Sequence, residues 1–285
     1  MNHLIDSLKG MVIGIANLIP GVSGGTMMVS MGIYDKIISS VTGLFKHLRE
    51  SILTLLPYGI GMVIGIVGPA FIIKYLFAHY AFATSMAFIG LIMGGIPIIV
   101  KRISGKRLCT KNVIAFLVMF LVIIGLKFFG GSGSEVSLTS INPLLVIELF
   151  FVGVIAAATM VIPGVSGSMV LMLLGFYNPV LTAVTDFVSA LAAFDMTILI
   201  HNIGILMPFG IGVIIGIFAV AKLIELLIKK QESMTFSGIL GLIIASPIVV
   251  LLEIDLQHGL GIVTILSGII TFILGYCAAY MLSEK

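Results

Sequence analysis

Two short stretches repeat the same polar chemistry inside otherwise apolar sequence: Ile19-Pro20-Gly21-Val22-Ser23-Gly24-Gly25 and Ile162-Pro163-Gly164-Val165-Ser166-Gly167-Ser168. Proline removes a backbone donor and clashes with the preceding turn, and glycine lets the chain leave helical geometry. Each stretch therefore predicts a broken helix. Where a helix restarts, its first amides lack intrahelical partners and carry partial positive charge. Ser23, Gly24, Gly25 and Thr26 fall at that position after the first break, and Ser166, Gly167 and Ser168 after the second. Amides beside small hydroxyls make an anion cradle, and phosphate is a natural occupant. Asn17, one turn before the first break, joins the candidate phosphate site with Pro20, Gly21, Pro163 and Gly164. Tight helix packing is the competing reading of any single glycine. Duplication of the whole pattern favours a binding site.

Other polar residues give weaker signals. Asn17 aligns with Met160 in the second copy, and its alternative role is to cap a half-helix. Glu148 and Lys74 are the candidates for coupling or gating. Carboxylates at membrane depth are rarely idle, although Glu148 also suits an interface. Lys74, Lys127 and Lys222 stand near span ends, where snorkelling explains a lysine without any ligand. Asp186, Asp195 and His201 read as a solvated loop rather than a pH-sensitive gate. Cys109 and Cys277 are far apart, so neither a disulfide nor a metal site is expected. No cofactor and no catalytic residue is expected.

These residues need a scaffold, and composition names it. The 285 residues are 60% hydrophobic and 9% charged, with a mean hydropathy of +1.28. Soluble domains carry roughly 25% charged residues. The expected fold is an all-α polytopic membrane protein built as an inverted-topology repeat. Each half is a re-entrant broken-helix hairpin followed by about three transmembrane helices. The first repeat covers 1–129, with a hairpin at 10–31 and spans near 55–73, 82–100 and 113–129. A linker at 130–142, rich in glycine and serine, leads to the second repeat at 143–285. That repeat has a hairpin at 143–177 and spans near 204–228, 236–252 and 261–281. Most of these approach the roughly 20 residues that a bilayer core requires. The first apolar stretch contains a Pro-Gly break and lacks a small-residue cleavage site, so it does not read as a cleaved signal peptide. The duplication is visible residue by residue. Leu56-Pro57-Tyr58-Gly59-Ile60-Gly61 matches Met207-Pro208-Phe209-Gly210-Ile211-Gly212, and Gly32-Ile33-Tyr34 matches Gly175-Phe176-Tyr177.

Charge predicts orientation, because short cytoplasmic loops collect Lys and Arg. The stretch 34–51, the basic loop 101–111 and the Lys229-Lys230 turn are expected inside, with both termini. The linker, the region of Asp186 and Asp195, and the Glu253–Asp255 turn carry no Lys or Arg and are expected outside. Both flanks of the second break then lie outside. That segment must enter and leave on one face, while the first dips in from the other. The basic loop reads as topology and contact with anionic lipid heads, with no nucleic-acid partner.

At these residues the chain resembles the PopT family of polyprenyl-phosphate transporters. The similarity rests on Asn17-Leu18-Ile19-Pro20-Gly21-Val22-Ser23-Gly24-Gly25-Thr26, on Pro163-Gly164-Val165-Ser166-Gly167-Ser168, and on the Gly-[Ile/Phe]-Tyr after each break. What it implies is movement of undecaprenyl phosphate, the carrier lipid of cell-wall synthesis, across a bacterial cytoplasmic membrane for reuse. The partners implied are that lipid and the surrounding bilayer, and a homo-oligomer stays open. The second copy departs at Ser168, where Gly25 stands, and at Met160, where Asn17 stands. The two half-sites are therefore expected to differ, with the first favoured by the headgroup. Two other readings stand beside this one. A small-anion or metabolite carrier could use the same architecture. A polyprenyl-pyrophosphate phosphatase also uses inverted hairpins with a Pro-Gly-x-Ser motif. Its chemistry needs Arg and clustered carboxylates, whereas Gly24 and Gly167 follow the two serines here.

Overall fold

A computed structural model describes residues 3–17, 22–104, 109–129, 135–138, 141–254 and 261–283. The first half comprises α1 (His3–Asn17), α2 (Gly24–Ser30), α3 (Tyr34–Thr42), α4 (Leu48–Val67), α5 (Ala70–Ile103) and α6 (Thr110–Phe129). The second comprises α7 (Pro143–Val161), α8 (Gly167–Leu173), α9 (Tyr177–Ala193), α10 (Met196–Glu253) and α11 (Ile262–Ser283). The described residues form helices and their connections, and six of the helices are long and apolar enough to cross a membrane. One of these, α10, contains two of the expected spans. Helix α5 is broken at Tyr80 (φ −137°, ψ 42°) and α10 at Gln231 (φ −144°, ψ 59°). No proline or glycine stands at either break. Instead the hydroxyl four residues later bonds back: Thr84 Oγ1 donates to the Tyr80 carbonyl at 2.8 Å, and Thr235 Oγ1 to that of Gln231 at 2.9 Å. Such back-bonding competes with the helical ladder and bends helices. The two bends lie as far apart in sequence as Pro57 and Pro208, the register of the internal repeat.

The hairpins differ in shape from the expected pair of half-helices. Helix α7 has 19 residues, roughly 28 Å at 1.5 Å per residue, whereas α8 has seven. A second bend of 110° then separates α8 from α9. Each short helix ends in the same way. Gly32 (φ +68°) and Gly175 (φ +76°) take left-handed geometry that a side chain would strain. At these turns Ile33 N bonds Met28 O, and Phe176 N bonds Leu171 O, closing paired Schellman turns. The repeated Gly-[Ile/Phe]-Tyr is thus the helix stop that starts α3 and α9. Helix α7 begins on Asn142, whose Oδ1 accepts from Leu145 N at 2.8 Å, with Pro143 at the first turn.

Glycines set the helix pairing. A Cβ on Gly10, Gly14, Gly61 or Gly65 would collide with backbone of the facing helix, which locks α1 against α4. Gly153, Gly212 and Gly216 do the same for α7 against the first arm of α10. Other glycine contacts cross between halves. Gly90 and Gly275 seat α11 on α5, while Gly241 seats α6 on the second arm of α10. The last helix of each half therefore packs on the other half. Exposed Leu, Ile, Val and Phe side chains cover α4, α6 and α11, the surface a lipid-embedded protein presents.

Candidate functional site

The two breaks meet in the middle of the molecule. Thr26 is fully buried, and its Oγ1 accepts a hydrogen bond from the Gly164 amide at 2.7 Å. Gly164 has φ +84°, and a Cβ there would press on Leu242. A Cβ on Gly25 would lie 3.1 Å from the Pro163 Cα, so the first break touches the second backbone to backbone. Tyr34, 2% exposed, donates from its hydroxyl to the Val161 carbonyl at 3.0 Å and ties α3 to the end of α7. Ser23 and Ser166 are buried alongside. Thr26, Ser23 and Ser166 are thus closed off from the surface, whereas Asn17 is exposed and Ser168 half-buried. Pro20 and Gly21 lie outside the described residues.

The half-sites are not equivalent. Asn17 Oδ1 accepts from Gly24 N at 3.1 Å, and Ser23 Oγ accepts from Gly25 N at 3.2 Å. The first two amides of α2 are thus bonded by the chain's own side chains, and Asn17 makes the capping contact of its alternative reading. In the second half, Ser166 makes no side-chain cap, and its Oγ instead lies 3.0 Å from Ser168 Oγ. The residue against Gly167 is Thr159, whose Oγ1 would be 2.9 Å from a Cβ there. The sequence register pairs Met160 with Asn17, but Met160 points outward and is exposed. Thr159 was missed because its hydroxyl bonds Ala156 O at 2.6 Å, a local back-bond with no distinctive sequence signal.

Around this centre lie charged groups that the sequence reading did not single out. Arg102 pairs with Asp35 at 2.9 Å and with Glu232 at 3.4 Å, and its guanidinium lies 5.6 Å from the Phe236 ring centroid. The network joins α3 and α5 to the bend of α10, again across the halves. Burial raises the Asp35 carboxyl above its ordinary value, and the nearby Arg102 only partly offsets it. Asp35 Oδ1 is buried without a hydrogen-bond partner. On the same side, Tyr58 donates to Asp6 Oδ1 at 2.5 Å, and Lys36 Nζ reaches Asp6 at 3.3 Å and the Tyr58 hydroxyl at 3.0 Å. Burial works to lower the Lys36 ammonium, but Tyr58 and Asp6 hold it above its ordinary value. Asp6 and Lys9, both buried, stand one turn apart on α1. That spacing in an apolar helix was the available signal.

Glu148, Asp186, Asp195 and His201 are not brought to the breaks. Glu148 is exposed on α7, and the side chain of Lys74 lies outside the described residues. Asp195 caps α10 through Thr197 N and Ile198 N at 3.0 and 3.2 Å. Asp186 and His201 share an open pocket of about 640 Å³ with Glu135 and Asn178. Among the described residues no cluster of His, Cys, Asp or Glu could hold a metal.

Comparison with known proteins adds a family. The undecaprenyl phosphate translocase-like family matches residues 13–252 and 192–284. A polyprenyl-phosphate transporter of Staphylococcus aureus is 30% identical over 285 residues, covering 99% of this chain and 98% of its own. A polyprenyl-phosphate transporter of Vibrio cholerae is 28% identical over 266 residues, covering 86% of this chain and 77% of its own. No solved structure matches.

Proposed function

Since the chain belongs to the undecaprenyl phosphate translocase-like family, we propose that it moves a polyprenyl phosphate between the leaflets of the bacterial cytoplasmic membrane. The observation that carries the reading is the meeting of the two duplicated breaks, Thr26 on Gly164 and Gly25 on Pro163, inside an otherwise apolar helical body. A phosphate head needs amides and hydroxyls at membrane depth, where non-helical backbone is tolerated only within protein or a polar cavity. Ser23, Gly24, Gly25 and Thr26 from one half and Ser166, Gly167 and Ser168 from the other supply them. The burial of Ser23, Gly24, Gly25, Thr26 and Ser166 supports an occluded arrangement on the first side, with Gly167 and Ser168 half-buried. The head enters when the halves part, exchanging the Thr26–Gly164 and Tyr34–Val161 bonds for bonds to phosphate.

The halves are an inverted repeat, 1–129 and 143–285, with both termini cytoplasmic. Two features support this. Lys and Arg alternate between loops as an inverted pair of halves requires, and each half packs its broken segment and its last helix in matching ways. Rocking one half on the other then exposes the head site to each leaflet in turn. The amides of Gly24 and Gly25 are satisfied within the chain in this arrangement, so the second break offers the more open donors. Glu148, which is exposed on α7, and Lys74 are left as coupling candidates.

The test uses liposomes holding a labelled polyprenyl phosphate in one leaflet. Faster loss from that leaflet with protein than without it supports a carrier. Release of free phosphate from a polyprenyl pyrophosphate, without faster movement, would make the protein an enzyme instead. Movement of a small phosphate ester but of no lipid would make it a solute carrier.

A further inference from the structure

Between α1, α5 and α11 runs a groove of about 470 Å³, lined by Val12 and Ile15 of α1, Leu76, Ala83, Ala87 and Leu91 of α5, and the face of α11 that carries Thr271. Its wall is mostly hydrocarbon, because the threonine hydroxyls that border it are spent on backbone; Tyr80 also lines it. Thr84 Oγ1 donates to the Tyr80 carbonyl at 2.8 Å and Thr271 Oγ1 to the Ala83 carbonyl at 2.7 Å. The bend of α5 at Tyr80 turns the first arm of that helix aside and makes room for the groove. The groove and the head site both border α1. Val12 and Ile15 flank Ile13, whose Cγ2 would lie 3.1 Å from a Cβ on Gly24, and Asn17 continues the same helix to the Gly24 amide at 3.1 Å.

We propose that this groove holds the isoprenoid stem, the few branched units next to the phosphate, of the lipid whose head the two breaks receive. The assignment rests on the reading of the chain as a polyprenyl-phosphate carrier. Its volume lies in the range of small-molecule pockets, roughly 300–1,000 Å³, so it takes only the start of a long chain and leaves the rest in the bilayer. The groove therefore reads the branching and width of the stem and is blind to total chain length. A linear acyl chain of an ordinary phospholipid fills such a wall less well, since branched walls and branched ligands interdigitate and unfilled gaps forfeit dispersion contacts. An isoprenyl phosphate should accordingly outcompete a straight-chain alkyl phosphate of equal carbon number.

The test compares wild type, Ala87→Leu, which fills the groove, and Leu76→Ala, which widens it, after each is shown by thermal melting to be folded. Three probes are offered in liposomes: a long polyprenyl phosphate, a four-unit isoprenyl phosphate and a straight-chain alkyl phosphate. The expected result is wild-type preference for both isoprenyl phosphates over the alkyl one. Ala87→Leu should lower isoprenyl transport roughly tenfold, because the added side chain takes the space assigned to the stem, and Leu76→Ala should narrow the preference while keeping transport. Equal handling of isoprenyl and alkyl phosphates by wild type, or wild-type transport and preference in both variants, overturns the groove assignment and leaves the carrier reading intact. Failure of wild type to move any of the three probes overturns both.

Discussion

The hydroxyl of Thr26 is the most exposed point of the account, because one atom joins the two halves. Thr26→Val keeps the shape of the side chain and removes the acceptor of the Gly164 N–H, which lies at 2.7 Å in a buried site. A buried donor left without a partner costs about 1–3 kcal/mol. Spread over a chain of this size, that is a fall in melting temperature of roughly 2–4 °C per kcal/mol. The cost falls only on states in which the halves touch, so the population with the halves apart should rise by about 5- to 150-fold. Both effects are measurable. Melting in detergent reads the first. For the second, Cys109 and Cys277 are exposed and are first replaced by serine, then Ser23→Cys is introduced as a buried reporter. Its reaction with a membrane-permeant maleimide should quicken in Thr26→Val and return toward the starting rate in Thr26→Ser, which retains the hydroxyl. Unchanged melting and labelling in Thr26→Val would refute the claim that this bond holds the closed arrangement together.

Three further outcomes follow. Tyr34→Phe, which frees the Val161 carbonyl, should lower stability by about 1 kcal/mol, and a double-mutant cycle with Thr26→Val should show coupling in melting if both bonds close the same interface. Asn17→Met copies the second half at the first and leaves the Gly24 amide uncapped, so melting should report a loss of about 0.5–2 kcal/mol. Asp35 gives the pH dependence: its carboxyl is raised above the ordinary 3.8 chiefly by burial, so its contribution to stability is present at low pH and lost as pH rises through the raised value. Asp35→Asn should therefore gain in melting temperature relative to wild type as pH climbs from about 4 toward neutrality. A relative loss over that range would show that pairing with Arg102 outweighs burial.

What could be read from the chain was whatever depends on local backbone chemistry. Pro163-Gly164 announced the second break, whereas Gly32 and Gly175 were legible only as a repeated pattern and not as the left-handed helix stops they form. The matching Pro57 and Pro208 are the sequence signal for an internal repeat. The bends at Tyr80 and Gln231 were not legible, because they arise from threonine hydroxyls that look like ordinary helix residues in sequence. The unequal arms of the second hairpin were likewise hidden, as apolar sequence does not say where in the bilayer a break will fall. Partners distant in the chain were the main omission. The contacts of Thr26 with Gly164 and Tyr34 with Val161, and the network of Asp35, Arg102 and Glu232, are set by how the two halves close on each other. Local pattern carries no record of that.

The most direct test of the central claim is leaflet-to-leaflet movement of a labelled polyprenyl phosphate by Gly24→Leu and Gly167→Leu in liposomes. Side chains at these positions would run into Asn17 and Thr159, at 2.8 and 2.9 Å from the first added carbon, and would fill the space the phosphate is assigned. If the two breaks hold the head, both variants should remain folded and lose transport. Wild-type rates in both would show that the phosphate passes elsewhere.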